Sequence, residues 1–174
     1  MSAQPQSQLA PQSLGTVAEH ASAAGSPSAP SARPARAIAI GESFSKTLTL
    51  DAATIHTFAL AAGDLNPLHH DAAYAKATRF GGIIASGTHY VALLMGLVAT
   101  HFSAEAAAAG LEFSFQLKKP VRAGDTITLA WTVAEVTPKA SLKGDIVTLK
   151  GSITNQEAVE VLTCIGKVVV FQSA

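Results

Sequence analysis

The chain has 174 residues, 48% of them hydrophobic and 14% charged, and its 12 basic and 12 acidic side chains cancel. Zero net charge excludes the basic stripe that a nucleic-acid binder needs. A lone cysteine, Cys164, excludes a disulfide scaffold or a cysteine-based zinc site and fits a reducing, cytoplasmic setting.

Ala, Ser, Pro and Gln fill 25 of the first 36 positions. That segment lacks the large apolar side chains that offset chain ordering, so residues 1–36 are expected to form a disordered tail. Met1 to Leu9 supplies no basic residue followed by an apolar run, so no secretory signal is expected there. The folded domain is then 37–174, large enough for a core without staples.

Phe44–Leu50 reads as a first strand. Asp51 can cap a helix carrying Ile55, Phe58, Ala59 and Ala62 at helical spacing, with Gly63 as its stop. A second helix is expected from Gly87 to about Thr100. Val91, Leu93, Leu94, Met95, Leu97 and Val98 make it apolar nearly all round, which predicts a buried core helix. The wider run 83–102 is long enough to span a bilayer, but Ser86, Thr88, His89, Tyr90 and Thr100 interrupt it and no basic flank orients it. No membrane association is expected.

Downstream the period changes to two. Thr126–Val136 places Ile127, Leu129, Trp131 and Val133 on one face, and Glu112–Leu117, Ile146–Thr154 and Val159–Phe171 also read as strands. Pro120 with Gly124-Asp125, Pro138 to Gly144, and Asn155 to Ala158 mark the turns. The expected class is α+β, a curved antiparallel sheet wrapped round a long central helix.

Polar residues concentrate in Gly63-Asp64-Leu65-Asn66-Pro67-Leu68-His69-His70-Asp71. Pro67 stiffens the loop and biases Asn66 to extended geometry, so a carboxylate (Asp64) and an imidazole (His69) can converge on one water. The same residue types also make an ordinary turn. In Phe80-Gly81-Gly82-Ile83-Ile84-Ala85-Ser86-Gly87-Thr88-His89, Ser86 can cap the apolar helix through its side chain. That leaves the Gly87 N–H free at the positive helix end, where a carbonyl gaining negative charge could bind. A plain turn is the competing reading.

These segments resemble the MaoC-like, type 2 (R)-specific enoyl-CoA hydratases, whose domain has the hotdog fold. The resemblance rests on Gly63–His69, on Phe80–His89, and on Pro120-Val121-Arg122-Ala123-Gly124-Asp125-Thr126, and it spans roughly 44–171. It implies reversible addition of water to a trans-2-enoyl thioester, giving the (R)-3-hydroxyacyl product. By position, Asp64 and His69 would share the acid and base roles, Asn66 and Ser86 would support them, and the Gly87 amide would stabilise the enolate-like oxygen. Coenzyme A would enter only as part of the substrate; no metal or other cofactor is implied. A homodimer is implied too, since family members pair their sheets edge to edge and complete the acyl-binding region at the interface. Many members carry His where this chain has Ser86, so the resemblance does not fix acyl length or thioester carrier. Two alternatives therefore stand. One is a dehydratase of an acyl-carrier-protein or branched acyl-CoA thioester, the other a noncatalytic acyl-thioester-binding module.

Lys118, Lys119 and Arg122 near a hairpin could meet the phosphates of coenzyme A, or form a solvated turn. Adjacent side chains in His69-His70-Asp71 point apart, which argues against a metal site. His56, His89 and His101 are expected on helix surfaces or at an interface, Trp131 and Met95 in the core or at an interface, and Cys164 as an inert buried thiol.

Overall fold

A computed structural model describes residues 37–104 and 106–171; the expected tail, 1–36, lies outside the described residues. The elements run β1 (Ser43–Thr49), α1 (Ala52–Ala61), a 3-10 turn (Pro67–His69), α2 (Ala72–Ala77), α3 (Gly87–Ser103), β2 (Ala108–Leu117), β3 (Thr126–Lys139), β4 (Gly144–Asn155) and β5 (Glu160–Phe171). The strands make one five-stranded sheet in the order β1-β3-β4-β5-β2, antiparallel throughout.

The sheet's inner face follows from the period-two pattern. Ile127, Leu129, Trp131 and Val133 of β3, Val147, Leu149 and Ile153 of β4, and Leu162, Cys164 and Val168 of β5 are all buried. They pack against Tyr90, Leu94, Val98 and Phe102 of α3, four residues apart on one face. The indole N–H of Trp131 donates to the Leu94 carbonyl at 2.9 Å, tying sheet to helix. Gly151 leaves room for that ring: a Cβ there would lie 2.6 Å from it. On the outer face of the β1–β3 pair, hydroxyls meet across the strands at Ser43–Thr132, Thr47–Thr128 and Thr49–Thr126, 2.8 to 2.9 Å apart.

Three expectations are corrected. β2 does not neighbour β3; the 118–125 link is a crossover that carries the chain from the β5 edge to the far side of the sheet, where β3 pairs with β1 and β4. β3 runs through Pro138 to Lys139, so the hairpin turn is confined to 140–143, with Lys143 at φ 49°. Finally, α3 is not buried all round. One sheet covers one helix face, and Ala92, Met95, Gly96 and Ala99 remain exposed. With Ala108, Gly110, Phe113 and Val168 these last three border an open apolar cleft of about 260 Å³. Among the described residues no helix is long and apolar enough to cross a membrane.

Candidate active site

The site begins where α1 ends. Asp51 caps that helix by accepting from the Thr54 N–H, and Gly63 turns the chain out of it at φ +71°. Asp64 follows directly, its own N–H held by the Ala59 carbonyl at 2.8 Å. Asp64 Oδ1 accepts from the Asn66 N–H at 3.2 Å, and Asn66 Oδ1 accepts from the Leu68 N–H at 3.1 Å. Asn66 stands at φ −62°, ψ 121°, the extended geometry that the following Pro67 enforces. Side-chain caps and a proline therefore lock the 3-10 turn that presents His69.

His69 is buried, 5% exposed, and its Nδ1–H donates to the Ile84 carbonyl at 2.7 Å. That anchor fixes the ring and turns Nε2 towards Asp64 Oδ2, 3.3 Å away. With a proton on Nε2, both ring N–H groups have acceptors; without it, Nε2 presents a lone pair. The histidine can gain or lose a proton without losing its position. The segment 83–86 is itself tied down, Ile84 N–H to the Leu68 carbonyl, Ala85 N–H to Val121 and Ala123 N–H to Ile83.

Ser86 occupies the cap position of α3 but makes no side-chain cap bond. Its hydroxyl donates to Asp64 Oδ2 at 2.7 Å instead and lies 2.8 Å from the Thr88 hydroxyl, which must then donate to Ser86. The Ser86 oxygen thus accepts from the Thr88 hydroxyl where a cap would accept from a helix amide, and its own proton goes to a carboxylate, a strong acceptor. The Ser86 hydrogen bond is the main cause holding the Asp64 carboxyl below its ordinary range, followed by the Asn66 N–H and the charges of His69 and His70.

The Gly87 N–H has no acceptor among the described residues. Gly87, His69 and Asn66 line one cleft of about 280 Å³ with Phe80, Tyr90 and Lys119; Asp64 and Ser86 are not among its lining residues. Lys118 borders the same cleft but pairs with Glu160. Arg122 does not line the cleft; its Nε–H donates at 3.3 Å to the carbonyl of Phe80, which does. Lys119 is thus the cation that the fold leaves at the cleft.

Several residues differ from their sequence reading. His89 is not a surface residue: it is 3% exposed, stacked on Phe58 at 4.2 Å, with Nδ1 buried and unpartnered. His101 is half-buried, stacked on Phe44 and hydrogen-bonded to Glu42. His70 bridges the Asp64 carbonyl and the exposed His56 through its two ring nitrogens, at 2.6 and 2.9 Å. Tyr90, in the cleft wall, escaped sequence reasoning, although its spacing three residues after Gly87 places it on the same helix face.

A family model described as the MaoC like domain matches residues 36–156. A UPF0336 protein of Streptomyces avermitilis is 31% identical over 123 residues, 66% of this chain and 79% of that protein. An (R)-specific enoyl-CoA hydratase of Rhodospirillum rubrum is 32% identical over 99 residues, 57% of this chain and 68% of that enzyme. Among solved structures, the (R)-hydratase of A. caviae involved in PHA biosynthesis superposes with a TM-score of 0.68 at 28% identity, over 77% of this chain and 98% of that one.

Proposed function

This chain belongs to the MaoC-like domain family, with its hotdog fold, and from that premise we propose that it is an (R)-specific enoyl-CoA hydratase, or the 3-hydroxyacyl-CoA dehydratase working in reverse. One observation carries the reading: His69 Nε2 lies 3.3 Å from Asp64 Oδ2, while His69 and the unpaired Gly87 N–H face one cleft.

Hydration needs a base for water, an acid for the α-carbon and a donor where charge develops. In the proposed reaction, water held by the Asp64–His69 pair gives up a proton to it as the oxygen bonds to C3. The C2=C3 π electrons move onto the thioester oxygen, which the Gly87 N–H meets at the positive end of α3. The enolate then collapses, C2 takes a proton from the pair, and the carbonyl re-forms. Asn66 and Ser86 hold the two residues in place.

Lys119 at the cleft supports a phosphate-bearing carrier, with Lys118 and Arg122 held by other partners. The open apolar cleft between α3 and the edge strand β2 supports a homodimer, in which a second copy covers Met95 and Ala99. We take residues 37–174 as the catalytic domain and the cytoplasm as its setting.

The test is absorbance of the conjugated thioester with crotonyl-CoA and longer trans-2-enoyl-CoAs, with chirality of the product. The expected result is a falling absorbance and an (R)-3-hydroxyacyl-CoA. The same acyl chains on acyl-carrier protein, run in parallel, identify the carrier. No turnover on either carrier leaves a noncatalytic thioester-binding module.

A further inference from the structure

The cleft holds a second polar hydrogen that no protein group uses. Tyr90 lies one turn into α3, and helical side chains lean towards the helix N-terminus, so its ring lies back over Gly87. The hydroxyl reaches within 3.9 Å of the point where a Gly87 Cβ would stand. The residue is 3% exposed and lines the same cleft as His69 and Gly87. No hydrogen-bond partner meets its hydroxyl among the described residues.

The ring is buried, but the hydroxyl, with no protein partner among the described residues, is left open to the cleft, where an entering group can accept from it. A hydroxyl kept there is explained if something entering the cleft accepts from it. Burial pushes the phenol above its ordinary pKa of 10, so it remains protonated, and a donor, at any physiological pH.

Resting on the hydration reading, we propose that Tyr90 is a catalytic residue, its O–H donating to the thioester oxygen beside the Gly87 N–H. The two donors flank one acceptor position at the start of α3. As C3 takes the water oxygen and the π electrons move onto the thioester oxygen, that oxygen gains charge and both hydrogen bonds strengthen. The phenol proton stays on Tyr90 throughout; the proton added at C2 comes from the Asp64–His69 pair. The contribution therefore grows between ground state and transition state, and appears in kcat more than in KM.

Tyr90→Phe removes one oxygen and leaves the ring in place, so the melting curve should be preserved. Its expected effect is about a 10²-fold loss of kcat, the same for short and long enoyl chains, with little change in KM. A second measurement reads the hydrogen bond itself. In the D64N background, where bound crotonyl-CoA persists, the thioester carbonyl stretch should be shifted to lower frequency with Tyr90 present, and less so with Y90F added. A wild-type enzyme that hydrates crotonyl-CoA beside a Y90F variant with undiminished kcat, an effect confined to KM, or an unmoved carbonyl band would overturn the Tyr90 role alone. A wild-type protein inert on every enoyl thioester would overturn the hydratase reading and this one with it.

Discussion

Ser86 Oγ donates to Asp64 Oδ2 at 2.7 Å, joining the loop that follows α1 to the residue before α3 across 22 positions. Ser86 thereby supports the carboxylate, while its oxygen makes no bond to a helix amide. Its removal acts on both the position and the charge of Asp64.

Ser86→Ala should therefore lower kcat about tenfold, less than loss of an acid–base group itself. The carboxyl should also titrate higher, because the largest influence depressing it is gone. The acid limb of the kcat/KM profile then moves to higher pH. A pH–rate profile of the two proteins checks the direction, and an unmoved acid limb would show that Asp64 is held by other groups.

Asp64→Asn and His69→Gln should each reduce kcat by about two to four orders of magnitude. Asp64 lies at a half-buried loop position and His69 keeps a carbonyl anchor that glutamine can still reach, so melting temperatures should change little. Turnover close to wild type in either folded variant would remove the pair from the chemistry.

Gly87 separates a backbone role from a side-chain role. Its φ lies outside the positive range, so Gly87→Ala is conformationally allowed; the added Cβ would crowd Leu117 Cδ2 at 2.5 Å, the end of a half-exposed, flexible side chain, and would make only ordinary contact with the Tyr90 hydroxyl at 3.9 Å. Alanine should keep most activity. Gly87→Pro fits the first helical position but lacks the N–H, and should lose about 10²–10³ in kcat. Steady-state kinetics with circular dichroism distinguish this from misfolding; a folded, fully active proline variant would place the oxyanion elsewhere.

His89 predicts a pH dependence of stability. Burial lowers its pKa from the ordinary 6.5, so below that value the unfolded chain takes up a proton that the folded one refuses. Stability is complete above pH 6.5 and falls as pH drops towards the lowered folded value. His89→Phe keeps the stack on Phe58 without a titrating nitrogen. The fall in melting temperature between about pH 7 and about pH 5 should be shallower in H89F than in wild type. Parallel curves would show that His89 does not carry the effect.

Much of the fold was legible because single residues announce its elements. Asp51 and Gly63 bracket α1, and the alternation from Ile127 to Val133 marks the inner face of β3. The strand order was not legible, because local periodicity carries no record of which distant strand supplies the partner. β2 joins β5 although β3 comes next in the chain. In the site, Asp64, His69 and Gly87 could be picked out from a loop motif and a helix start. What escaped were the side-chain partners: that the Ser86 hydroxyl gives its proton to Asp64, and that Arg122 donates to the Phe80 carbonyl instead of lining the cleft itself. Those depend on distances between segments. His89 was misread for a related reason, since a polar letter in an apolar helix does not reveal that α1 covers it with Phe58.

The crossover that carries β2 past β3 also sets the order in which the protein can assemble. β1 cannot find its place until β3 exists: Thr47 and Thr128, which meet across the two strands, are 81 positions apart. Closing so long a loop has little local reward, and sheets built from such distant pairs fold slowly, on the order of milliseconds to seconds. On the ribosome, α1, the His69 loop and α3 emerge before β2 to β5, the four strands that make up the rest of the sheet. For that interval Leu94, Val98 and Phe102 stand in water on a nascent helix, a surface for chaperones or for a neighbouring nascent chain. Variants that weaken β3–β4 pairing should therefore lower the yield of soluble protein more than they lower the stability of the molecules that complete folding.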